Sequence, residues 1–96
     1  MEDWNRYEPK FRYMMLSRMK SDCDYYLGNG NGSTNHLWAG DERSQIANMV
    51  ALWNTFEPED NPEWLTWDEL MDYAQKMGVD IGPGVVMYFR KNREDD

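Results

Sequence analysis

Apolar side chains recur four residues apart from Phe11 through Met15, Met19 and Cys23 to Leu27, with Leu16 and Tyr26 widening the stripe. That spacing predicts a long amphipathic helix. Pro9 suits its first turn, where a missing amide hydrogen costs nothing, and Gly28 is placed to end it in a left-handed cap. Arg12, Arg18 and Lys20 fall off the stripe and are expected in water, and Asp22 and Asp24 read as helix-surface charges.

A second helix is expected from an N-cap at Asp41, carrying Ile46, Met49, Val50, Trp53 and Phe56 at helical spacing and stopping at Pro58. Thr66-Trp67-Asp68-Glu69 has the form of a capping box, in which hydroxyl and carboxylate satisfy free amides of the first turn. It predicts a third helix over 67–77, closed by Gly78, with Trp67, Leu70, Met71, Ala74 and Met77 on its apolar face. Three amphipathic helices can share one core, so the expected fold is a small all-α domain with Trp53, Trp67, Met15 and Met19 mostly buried. Residues 1–8 read as a leader, 9–78 as the helical domain and 79–96 as an extension. Within that extension Val85-Val86-Met87-Tyr88-Phe89 is strand-like in composition and lacks a second strand to pair with.

Between the first two helices lies Gly28-Asn29-Gly30-Asn31-Gly32-Ser33-Thr34-Asn35-His36-Leu37-Trp38. Phosphate loops follow a strand and open a helix, whereas this loop follows a helix and lacks the lysine of a P-loop. A calcium loop fails as well, because Asn29, Asn31, Ser33 and Asn35 are neutral and no closing glutamate falls at the required place. Glycines and asparagines tolerate positive φ and bond their own backbone, which makes the stretch a joint. His36-Leu37-Trp38 is expected to turn the chain back onto the first helix, with Trp38 as a packing anchor and the loop open to a recognition role. Asn31-Gly32-Ser33 matches a glycosylation sequon by letters only.

Ninety-six residues fit one domain. The formal charge of −8 is uneven: residues 1–21 hold five basic and three acidic groups, 22–80 hold two and twelve, and the remainder three of each. A field of that sign attracts basic surfaces and repels a phosphate backbone, so the expected partner is a protein with a basic surface and direct nucleic-acid binding is disfavoured. The carboxylates of Glu57, Glu59, Asp60, Glu63, Asp68, Glu69 and Asp72 are the candidate contacts, with Asn31, His36 and Tyr88 as a second set. A lone cysteine cannot form an internal disulfide, which suits a reducing compartment, and no apolar run is long enough for a membrane span. Met1-Glu2-Asp3-Trp4 does not read as a signal peptide, so a cytoplasmic location is expected. Cys23 lies in the apolar stripe, one His and one Cys do not complete a zinc site, and no nucleophile, base and oxyanion donor assemble. The expectation is a non-enzyme without cofactor or metal.

Several short blocks in order, Ser21-Asp22-Cys23-Asp24-Tyr25-Tyr26-Leu27-Gly28, Gly30-Asn31, His36-Leu37-Trp38-Ala39-Gly40, Gln45-Ile46 with Met49 and Leu52, and Pro62-Glu63-Trp64-Leu65-Thr66, resemble the large polyvalent protein-associated domain numbered eleven in its series. The resemblance runs from Arg12 to about Met77. It implies an origin in phages, plasmids or conjugative elements of gut bacteria and no defined reaction. Two functional readings follow. One is a non-catalytic protein-binding module of a mobile element, acting as an antagonist of a host defence nuclease such as a CRISPR effector through its acidic surface. The other is a nucleic-acid accessory module using Arg6, Lys10, Arg12, Arg18 and Lys20. Self-association through residues 79–96 is a further expectation.

Overall fold

A computed structural model describes residues 3–79. The strand-like stretch 85–89, including Tyr88, lies outside the described residues. Three helices carry the fold: α1 over Pro9–Leu27, α2 over Glu42–Trp53 and α3 over Trp67–Lys76, with short 3-10 turns at Trp4–Arg6, Thr34–His36 and Pro58–Asp60. No strand occurs among the described residues, and the domain is all-α.

Local chemistry sets the helix boundaries. Pro9 opens α1, and the Asp41 carboxylate caps α2 by accepting the Ser44 amide at 2.8 Å. At α3 the capping box is complete: Thr66 Oγ1 accepts the Glu69 amide at 3.1 Å, and Glu69 Oε1 accepts the Thr66 amide at 2.9 Å. The second helix stops at Trp53, short of the Pro58 expected for it. The Thr55 hydroxyl donates to the Leu52 carbonyl, and the chain leaves through a turn that carries Phe56.

The core gathers Leu16, Met19 and Cys23 from α1, Ile46, Met49, Val50, Leu52 and Trp53 from α2, and Leu70 and Ala74 from α3. Met15, Leu37, Leu65 and Met77 join them. Full burial of one such side chain is worth roughly 1.5–3 kcal/mol against leaving it in water. The four-residue spacing of α1 does not hold one face to the core along its whole length. Each step of four overshoots a turn by about 40°, so the row that begins at half-buried Phe11 reaches Leu27 on the exposed side, at 39% exposure. The buried row runs instead through Leu16, Met19, Cys23 and half-buried Tyr26. Trp67 is likewise half-buried: at the first turn of α3 it covers the rim of Trp53, their ring centroids 5.3 Å apart.

Trp4, placed in the leader by its sequence position, packs in the core at 3% exposure. Its indole Nε1 donates to Asn48 Oδ1 at 3.2 Å, and its ring meets Tyr7 and Trp38, each at 5.6 Å. This turn therefore belongs to the packed unit.

Candidate interaction surfaces

The loop between α1 and α2 is held by named bonds at both ends. Gly28 does not adopt the left-handed cap expected of it; its φ is −110°. The helix is closed by amides folding back: Gly28 N donates to the Asp24 and Tyr25 carbonyls, Gly30 N to the Tyr25 carbonyl at 2.6 Å, and Gly32 N to the Tyr26 carbonyl at 2.9 Å. The positive φ falls later, at Asn31 (51°) and Gly32 (83°). Gly30 is required for another reason, since a Cβ there would stand 2.8 Å from the Tyr25 carbonyl oxygen and from its ring.

At the far end, Leu37 is the packing anchor at 5% exposure, and Trp38 keeps 38% of its surface open while its ring leans on Trp4. Asp22 Oδ2 accepts the Trp38 amide at 3.0 Å. Fully buried Gln45 accepts the Ala39 amide at 2.9 Å and donates to the Met19 carbonyl at 3.2 Å. His36 meets the edge of the Tyr25 ring at 4.7 Å, and the Tyr26 hydroxyl donates to Glu42 at 2.6 Å. The outcome is a hydrogen-bonded surface of Tyr25, Asn31, His36 and Trp38 flanked by structural carboxylates. Asp22 is thus not a free surface charge. Asp24 is not one either, because it accepts from the Tyr73 hydroxyl and from Lys20.

The second surface is acidic. Between Glu57 and Asp72 the chain carries seven carboxylates and no basic residue. Two of these have internal partners: Glu69 closes the capping box, and Asp72 pairs with Lys76 at 2.9 Å. The side chains of Glu57, Glu59, Asp60, Glu63 and Asp68 are exposed and make no hydrogen bond or ion pair among the described residues. The backbone beneath is fixed. The Tyr13 hydroxyl donates to the Asp60 carbonyl, Tyr13 stacks on Phe56 at 4.2 Å, and Pro62 and Leu65 are buried. Those inward anchors leave Trp64 pointing out, at 42% exposure. The sequence pattern alone does not mark Trp64, Asp22 or Gln45 as site residues. An exposed large aromatic between acids was the available signal for Trp64; the roles of the other two depend on contacts 16 and 26 residues away.

The basic first helix is largely spent on internal contacts. Arg12 donates to the Tyr7 and Thr55 carbonyls at 2.9 and 3.4 Å and lies over Phe56, so it is not in open water as expected. Half-buried Lys20 pairs with Asp24 at 3.2 Å and lies over Tyr73. Arg18 stands beside Asp22 at 4.0 Å.

Burial, together with Asp22 and Asp24, pushes the Cys23 thiol up to about 12, which keeps it protonated and poorly nucleophilic at neutral pH. Among the described residues no group of His, Cys, Asp and Glu is arranged to hold a metal, and no helix is long and apolar enough to cross a membrane.

These features define a small all-α domain with its side-chain chemistry at its surfaces. Its family is shown by a family model, large polyvalent protein-associated domain 11, that matches residues 9–77, and the chain belongs to that family. No curated protein and no solved structure gives a significant match. The blocks that carried the resemblance meet in space. Asp22, Trp38, Ala39 and Gln45, from three separate blocks, are joined by hydrogen bonds that fix the loop to the core.

Proposed function

We propose that this chain is a non-catalytic protein-binding module of a mobile genetic element that docks its acidic segment, residues 57–72, against a basic groove on a nucleic-acid-handling protein. The observation that carries the reading is the set of five unpaired, exposed carboxylates around outward-facing Trp64 on a braced backbone. Carboxylates at a basic groove speed encounter, and a large aromatic side chain seated in the partner supplies residence time. A host defence nuclease, a CRISPR effector among them, is the partner class that combines such a groove with the expected origin of the family. The internal commitments of Arg12 and Lys20 favour this reading over direct phosphate binding through α1.

The test begins with affinity capture from a bacterial host using the wild-type chain and a variant with Glu57, Glu59, Asp60 and Glu63 changed to their amides. Association rates are then measured with the purified partner. The reading expects the wild-type rate to fall steeply with salt, the amide variant to bind weakly while remaining folded, and Trp64→Ala to dissociate faster. Unchanged affinity in both variants, with loss on Asn31→Ala or His36→Ala, would transfer the interface to the loop.

A further inference from the structure

The loop contains two Asn-Gly pairs, Asn29-Gly30 and Asn31-Gly32. In such a pair the glycine backbone nitrogen can attack the preceding side-chain amide, because the glycine carries no side chain to obstruct ring closure. We propose that Asn31, in preference to Asn29, is a site of spontaneous deamidation, a modification that turns a neutral loop amide into a carboxylate as the protein ages.

The reaction balances with water alone. The Gly32 nitrogen gives up its proton to solvent and bonds to Asn31 Cγ. The bond from Cγ to the side-chain nitrogen breaks, and that nitrogen takes up a proton and leaves as ammonia. Water then opens the five-membered imide at either carbonyl, leaving aspartate or isoaspartate, and nothing is oxidised or reduced. The net change is amide plus water to carboxylic acid plus ammonia.

The structure separates two pairs that are equivalent as sequence. Gly30 is half-buried beneath Tyr25, and its amide donates to the Tyr25 carbonyl at the short distance of 2.6 Å. The space around its Cα is closed at 2.8 Å by the carbonyl and ring of Tyr25. Attack on Asn29 therefore requires the helix end to open first. Gly32 is exposed, and a Cβ built on it meets nothing within 4 Å, so no other residue crowds the Gly32 backbone as Tyr25 crowds Gly30. The Gly32 nitrogen donates to the Tyr26 carbonyl at 2.9 Å, longer than the Gly30 bond and at a position open to water, while the flanking Asn31 and Ser33 amides donate to the Gly28 and Gly30 carbonyls at 3.1 and 2.9 Å. Asn31 itself holds φ at 51°, in the left-handed region that asparagine tolerates. Conversion adds a negative charge to a stretch that has no acidic residue between Asp24 and Asp41. The isoaspartyl product also lengthens the main chain at the turn itself.

The full chain is incubated at mildly alkaline pH, folded and in denaturant, with peptide mapping by mass spectrometry at intervals. The unfolded chain is expected to react at both sites at similar rates. The folded chain is expected to react at Asn31 about tenfold faster than at Asn29, the ratio set by the extra local opening that Gly30 requires. Asn31→Gln, which would need a larger and slower ring, removes the early product and identifies its source. Equal rates in the folded chain, faster reaction at Asn29, or no reaction at either site while the unfolded chain reacts would each overturn the assignment.

Discussion

Gln45 holds the Ala39 amide from inside the core: its Oε1 accepts that N–H at 2.9 Å while the side chain is fully buried. The partner amide belongs to the loop and Gln45 to α2, so one side chain ties the returning chain to the helix pair. Gln45→Met keeps the volume and removes the acceptor, stranding the Ala39 amide. The expected cost is about 1–3 kcal/mol, the penalty for an unsatisfied buried donor, read as a lower urea midpoint with unchanged slope. Both changes lose the donor to the Met19 carbonyl, but Gln45→Glu, though it keeps an acceptor, also puts a buried charge beside Asp22, so it is expected to fare worse than Met.

Trp53 joins α2 to the start of α3 twice, by packing on Trp67 and by donating Nε1 to the Leu65 carbonyl at 2.9 Å. Trp53→Ala is expected to cost about 3–5 kcal/mol, as large-to-small core changes do. Trp53→Phe removes the donor and part of the ring, so equilibrium unfolding should place it between Ala and wild type.

Gly30→Ala forces a Cβ against the Tyr25 carbonyl, a backbone atom that cannot swing aside. Overpacking of that kind costs about 1–3 kcal/mol. The Gly28 counterpart meets the Asp24 carbonyl at 3.2 Å and should cost less. A reversed order, measured by thermal or denaturant unfolding, would contradict the closed helix end.

Stability at high pH should track two groups. Cys23 is raised from 9.0 to about 12 by burial and by Asp22 and Asp24. Tyr73 is raised from 10.0 to about 12, first by burial and then by its hydrogen bond to Asp24. Each folded value lies above its unfolded one, so each contribution is complete below the ordinary value and is lost as pH rises through the folded one. The urea midpoint should hold steady up to about pH 9 and then decline toward pH 12. In Cys23→Ala the decline should begin nearer 10, and thiol reagents should label the wild type only after unfolding.

The helices were legible because periodicity and end signals act locally: the Asp41 cap, the Thr66 and Glu69 box and Pro9 each work within one turn. Leu27 falls outside the core because a four-residue step drifts about 40° each time and leaves the buried face by the end of α1. A glycine after a helix suggests positive φ, whereas at Gly28 stacked amides on the Tyr25 and Tyr26 carbonyls close the end. Trp4, Asp22 and Gln45 owe their roles to partners far along the chain, and composition carries no trace of such pairings. The acidic stretch could be counted from the letters. Which of its carboxylates lacked partners, and that Trp64 faced outward among them, required the packed backbone.

Four of the five indole rings fall into two coupled pairs, Trp4 with Trp38 at 5.6 Å and Trp53 with Trp67 at 5.3 Å. Close, mutually tilted indoles exchange excitation, so each pair should give its own bisignate band in circular dichroism. One band reports whether the loop rests on the N-terminal turn, the other whether α3 rests on α2. Trp38→Phe and Trp67→Phe assign them, and a titration in which one band fades before the other would reveal two ends of this small domain melting separately.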